Sequence, residues 1–147
     1  MDSGQWRAVN SLRRRVLAAA GSIGLVAPFA RAQQTFVPDA RWYAAALAMR
    51  ELAQRSGDQP YGAVVVAGDA IIGEAPSRVV QRGDADAHAE REALRDAQRR
   101  LGRARLDGSV LYSTSRPCRA CEAAAAQAGI ERMIYGPALI DAGRPVR

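Results

Sequence analysis

Two short stretches decide how this chain is read: Ala87-His88-Ala89-Glu90, and further on Arg116-Pro117-Cys118-Arg119-Ala120-Cys121. They contain the only histidine and the only two cysteines in the 147-residue protein. One imidazole and two thiolates make three zinc ligands and leave a fourth tetrahedral position open to water. Glu90 is not needed as a ligand and is free to act beside that water as acid and base. The spacing says where these residues must sit. His88 and Glu90 are two apart, so in mid-helix they would point nearly opposite ways. In a first turn both can lean over the open helix end. Cys118 and Cys121 have the i, i+3 spacing that shares one helix face, and Pro117 is tolerated just before or at a first helical position. Each motif therefore opens a helix. The positive helix end is expected to help keep both sulfurs as thiolates.

Outward from the motifs, the chain alternates between helix and strand patterns. Asp39 is a candidate N-cap, and Trp42, Ala45, Ala46, Met49, Leu52 and Ala53 recur at helical spacing, which predicts an amphipathic helix from Arg41 to Ser56. Its Trp and Met stripe reads as core packing. Ser56-Gly57-Asp58 ends it. Gly62 to Val66 and Ala70 to Gly73, joined by Gly68-Asp69, read as a hairpin. Ser77 to Asp84 reads as a polar loop. Asp86 is positioned to cap a helix that starts near Ala87 and is stopped by Gly102. Ser109 to Thr114 is the next strand, Cys118 to Ala128 an Ala-rich helix closed by Gly129, and Arg132 to Tyr135 the last clear strand. This order implies an α/β fold with a mixed or parallel sheet covered by helices.

The first 32 residues read differently. Arg13-Arg14-Arg15 precedes a short apolar stretch, Val16 to Ala30, and Ala30-Arg31-Ala32 has the small-x-small form of a signal-peptidase site. Leu12 to Leu17 resembles a twin-arginine signal. The expectation is a leader over residues 1–32, a zinc domain over 33–147, and a periplasmic product. The apolar stretch is too short for a good membrane span. The formal charge of +6 at first suggests a nucleic-acid partner. Five of the 21 basic residues, all arginine, and one of the 15 acids fall before Gln33, so the remaining net charge is only +2. That composition is not a basic binding face, although local patches remain at Arg99, Arg100, Arg103 and Arg105.

Taken alone, Cys118-x-x-Cys121 could be a redox pair of a thiol–disulfide oxidoreductase. His88-x-Glu90 at the head of the preceding helix separates the readings, because a dithiol enzyme has no use for it.

Asp39 to Gly136 resembles the cytidine deaminase-like superfamily, in the branch holding cytosine, guanine, deoxycytidylate and tRNA-adenosine deaminases. The His-x-Glu…Pro-Cys-x-x-Cys signature carries that resemblance, together with Pro60 to Val66 and Leu111-Tyr112-Ser113-Thr114. It implies a three-layer α/β/α sandwich, His88, Cys118 and Cys121 holding one Zn2+ per chain, and Glu90 as the proton shuttle. It also implies hydrolytic deamination of a purine or pyrimidine nucleobase or nucleoside, with Ser77, Ala89, Thr114 and Arg116 at the substrate. The expected assembly is a homodimer. Export argues against tRNA as the substrate; if the leader is not an export signal, tRNA adenosine deamination becomes the alternative. Three departures stand out. Ser77 occupies the place of the family's Asn. Arg116 replaces a Glu found in many relatives. Only eleven residues follow Gly136, so the C-terminal strand is expected to be shortened or missing, with Ala138-Leu139-Ile140 as a stub.

Overall fold

Asp39 starts the first helix as its sequence position predicts: its carboxylate accepts the Arg41 N–H at 2.9 Å. The computed structural model describes residues 35–147, which form one unit, Thr35–Arg147; the leader expected at residues 1–32 lies outside the described residues. In chain order the elements are α1 (Ala40–Arg55), β1 (Gly62–Ala67), β2 (Ala70–Pro76), α2 (Val79–Arg82), α3 (Ala89–Leu101), β3 (Val110–Ser113), α4 (Arg119–Ala128), β4 (Arg132–Tyr135) and β5 (Ile140–Gly143). No helix among the described residues is long and apolar enough to cross a membrane.

The five strands form one mixed sheet in the order β2-β1-β3-β4-β5. β1 pairs antiparallel with β2 and β3, while β3 and β4 run parallel and are connected through α4. Strand period two assigns alternate side chains to opposite faces. On one face Val64, Val66, Tyr112 and Ile134 pack with Ala46 of α1, joined by Trp42 and Met49, so the Trp and Met stripe is core. On the other face Ala63, Val65, Leu111 and Met133 meet Ala93, Leu94 and Ala97 of α3 and Ala125 and Ala128 of α4. The result is the expected three-layer α/β/α sandwich. Gly73 lets α3 lie close on β2: a Cβ there would stand 2.4 Å from the Ala93 carbonyl oxygen and 2.6 Å from the Ala97 nitrogen.

Two expectations need correction and a third is narrowed. The C-terminal strand, expected to be shortened or missing, is present in short form: β5 is four residues long, starts at Ile140 of the expected stub and pairs antiparallel with β4, Tyr135 opposite Ile140. A tight reversal through Gly136 (φ +70°) and Leu139 (φ +50°) makes this possible without an intervening helix. Leu139 adopts that disfavoured conformation while packing against the α1-side core. Next, the polar loop from Ser77 to Asp84 contains the single helical turn α2. Finally, Asp86 is not an N-cap. Its N–H is held by the Asp84 carboxylate at 2.8 Å and its own carboxylate pairs with Arg91. α3 begins later, and its N-cap is His88.

Candidate metal centre

The two motifs meet because each supplies a helix cap. His88 is extended (φ −62°, ψ 149°) and makes no side-chain cap hydrogen bond, so its ring is free to turn away from the helix path while Glu90 sits inside the first turn of α3. That is how an i, i+2 pair shares one pocket. Cys118 caps α4 from the end of β3, with its sulfur accepting the Cys121 N–H at 3.4 Å. This places the dithiol beyond the carboxyl end of a strand of the parallel pair, where open α/β sheets commonly bind ligands.

His88 Nδ1 lies 3.6 Å from Cys118 Sγ and 3.4 Å from Cys121 Sγ. The three ligand atoms all lie within 4.8 Å of one another. A tetrahedral zinc ion with ordinary Zn–N and Zn–S bonds separates a nitrogen from a sulfur by about 3.6 Å. The donors therefore fit zinc both in kind and in spacing. Three protein ligands instead of four is the pattern of an open, catalytic zinc site.

Glu90 is 5% exposed, and its Oε2 lies 3.8 Å from Cys121 Sγ. Burial pushes its carboxyl up, opposed by its own backbone N–H, the charge of His88 and the Cys121 thiol. Burial also pushes the Cys121 thiol up, strengthened by the nearby Glu90 charge and by Cys118. At Cys121 burial therefore acts against the helix end expected to favour both thiolates, and a cation among the three donors is what would favour its ionised form.

The structure sorts the remaining candidates. Ala89 is buried as the first residue of α3, between His88 and Glu90. Thr114 is half-buried; its hydroxyl accepts the Gly62 N–H at 3.1 Å and its N–H donates to the Gly62 carbonyl at 3.0 Å. Arg116 is exposed just ahead of Pro117. Ser77 is 1% exposed, and its hydroxyl donates to Asp58 Oδ1 at 2.8 Å.

Asp58 and Glu92 carry structural roles that sequence reasoning missed. Burial works against the Asp58 charge. The backbone N–H of Gln81, the Ser77 hydroxyl and the N–H groups of Gln59 and Val80 outweigh it and hold the carboxyl below the ordinary aspartate range. Asp58 thereby ties the end of α1 to the segment after β2. From there the Arg78 N–H reaches the Ala87 carbonyl at 2.9 Å, next to His88. Glu92 is 2% exposed and lies between Arg82 of α2, at 2.8 Å, and Arg95 of α3. The available signal was its position four residues after His88, on the same helix face.

Comparison with known proteins agrees with this geometry. A family model for the cytidine and deoxycytidylate deaminase zinc-binding region matches residues 37–137. A tRNA-specific adenosine deaminase of Buchnera aphidicola is 36% identical over 103 residues, which cover 70% of this chain and 68% of the relative. The chain spans about half to 60% of the length of two further tRNA-specific adenosine deaminases. A solved chain from work on tRNA A34 deaminases superposes with a TM-score of 0.64 at 36% identity, covering 67% of this chain and 71% of that one. Guanine deaminase from Bacillus subtilis gives a TM-score of 0.64 at 32% identity, covering 68% and 64%.

Proposed function

We propose that this chain, which belongs to the cytidine and deoxycytidylate deaminase zinc-binding family, hydrolyses the exocyclic amino group of a purine and releases ammonia. One observation carries the chemistry: two sulfurs and one imidazole nitrogen converge, with the Glu90 carboxylate at 3.8 Å from the nearer sulfur. That convergence favours a metal over a redox disulfide. The purine preference rests on relatives whose names specify adenosine in tRNA and guanine.

His88, Cys118 and Cys121 would hold zinc, which when bound supplies a Lewis acid able to activate water near neutral pH. Glu90 supplies the proton traffic. Its Oε2 takes one proton from the attacking water and passes it to the ring nitrogen, then takes the second from the newly added hydroxyl and passes it to the departing amine. Water adds and ammonia leaves, so the carboxylate ends as it began. Burial of Glu90 suits this work, because a desolvated carboxylate accepts a proton more readily than an exposed one.

The test is an ammonia-release screen of zinc-loaded protein against adenine, guanine and cytosine as bases, nucleosides and nucleotides, and against a tRNA anticodon stem-loop. Turnover of a purine compound supports the proposal; turnover of cytosine compounds alone contradicts it. We also propose export, on the arginine run and the Ala30-Arg31-Ala32 site. Periplasmic recovery of a protein starting at Gln33 would support a small diffusible substrate, and retention in the cytosol would favour tRNA. A homodimer belongs to the same reading and is checked by light scattering of the purified protein.

A further inference from the structure

Among the described residues three acids are buried: Asp58, Glu90 and Glu92. Glu90 belongs to the metal centre. The other two both grip one short segment, residues 77–82. Asp58, just after α1, accepts the Ser77 hydroxyl on Oδ1 at 2.8 Å and the Gln81 N–H on Oδ2 at 2.9 Å. Glu92, on α3, holds Arg82 at 2.8 Å. The backbone of the segment then closes on the metal motif. The Arg78 N–H donates to the Ala87 carbonyl at 2.9 Å, and the Ala87 N–H to the Asp84 carbonyl at 3.0 Å. Ala87 is fully buried, and the next residue is His88.

Of the three donors, His88 depends most on outside support. The two sulfurs are held by α4 itself, since the Cys118 sulfur accepts the Cys121 N–H at 3.4 Å. His88 is the extended N-cap of α3 and makes no side-chain cap hydrogen bond. Its backbone therefore follows Ala87 on one side and the helix on the other.

We infer that Asp58 and Ser77 are positioning residues for the metal centre: they fix the segment from Ser77 to Ala87 and so set where His88 stands against the two cysteines. The inference rests on the metal reading of that centre. It gives Ser77, which the family resemblance placed at the substrate, the support of a ligand instead, because its hydroxyl is buried and donated to Asp58. A carboxylate suits position 58 because both of its oxygens only accept. An amide there would turn its own N–H groups toward one set of these donors.

Zinc affinity of the full chain is measured by competition with a chromogenic chelator, well below the melting transition of each variant. Asp58→Ala is expected to weaken zinc binding about tenfold, the lower end for groups that orient a metal ligand. Asp58→Asn, which keeps one acceptor, should lose less. Ser77→Ala keeps the carboxylate and its backbone donors, and should also weaken binding, by a smaller factor than Asp58→Ala. In the Asp58→Ala background it should add nothing further, because the two residues act through one bond. Gly68→Ala is the control for general loss of stability. It strains the turn between β1 and β2, with nothing within 4 Å of the new Cβ, and should leave zinc affinity unchanged. Wild-type affinity in Asp58→Ala and Ser77→Ala overturns the inference, as does an equal loss in Gly68→Ala. If Asp58→Ala does not fold, Ser77→Ala alone decides the matter. A wild-type chain that takes up no zinc removes the metal reading itself, a result seen before any variant is made.

Discussion

Replacing Gly73 with alanine would drive a methyl group into the helix that carries half of the metal site. The new Cβ would lie 2.4 Å from the Ala93 carbonyl oxygen and 2.6 Å from both Ala97 N and Ala97 Cβ. Ordinary contact needs about 1 Å more than the shortest of these, and the obstructing atoms include helix backbone, which cannot rotate aside. α3 must therefore lift from β2. Overpacking of this kind costs about 3 kcal/mol at the upper end of its usual range, or a fall of about 10 °C in Tm for a domain of this size. The same displacement moves His88 and Glu90 away from the cysteines of α4. A shift approaching 1 Å costs about 100-fold in turnover, and it should weaken zinc binding as well. The control is Gly68→Ala. Gly68 has φ +56° but nothing within 4 Å of its Cβ position, so only the left-handed backbone penalty of about 1–2 kcal/mol applies. Differential scanning calorimetry of zinc-loaded protein, with zinc titration of both variants, measures this ordering. A Gly73→Ala protein as stable as the wild type, or one that loses less than Gly68→Ala, would refute the packing argument.

Three other outcomes follow from the same contacts. Glu92→Gln should lower stability by about 2 kcal/mol in denaturant melts, through loss of two charge-assisted bonds; the value stays moderate because Arg82 and Arg95 keep 46% and 38% exposure and can rehydrate. Asp58→Asn should flatten the acid limb of the stability curve. The folded Asp58 carboxyl ionises at lower pH than the unfolded one, so its stabilisation is complete above the unfolded value of about 3.9 and is lost as pH falls through the folded value. A variant with an unchanged acid limb would contradict that assignment. Cys121→Ser should drop zinc in the purified protein from about one per chain to a small fraction, because a buried hydroxyl is a poor replacement for a thiolate ligand. Full zinc retention in that variant would remove Cys121 from the donor set.

The sequence made the sandwich legible through two periods: strand runs such as Gly62 to Val66, and helical stripes such as Trp42 to Ala53. The site was legible because histidine and cysteine are so scarce here that the two motifs had no rivals. What stayed hidden depended on tertiary contact. Asp58 reads locally as part of a helix stop; only the fold brings Ser77 and the Gln81 N–H to its carboxylate. Asp86 reads as a cap by residue type, but Asp84 and Arg91 hold it elsewhere. β5 lacked a strong strand pattern because its residues Ile140–Gly143 are largely exposed, and its place comes from pairing with β4. The thiolate expectation at Cys121 considered the helix dipole alone, while burial of that sulfur acts in the opposite direction.

Zinc content and ammonia release measured side by side on Glu90→Ala test the central claim most directly. Glu90 lies against Cys121 without being one of the three grouped donors. The expected result is about one zinc per chain with turnover of the best purine substrate reduced by at least about 100-fold. Wild-type turnover with zinc retained would contradict Glu90 as the proton carrier, and loss of zinc in this variant would place Glu90 among the ligands instead.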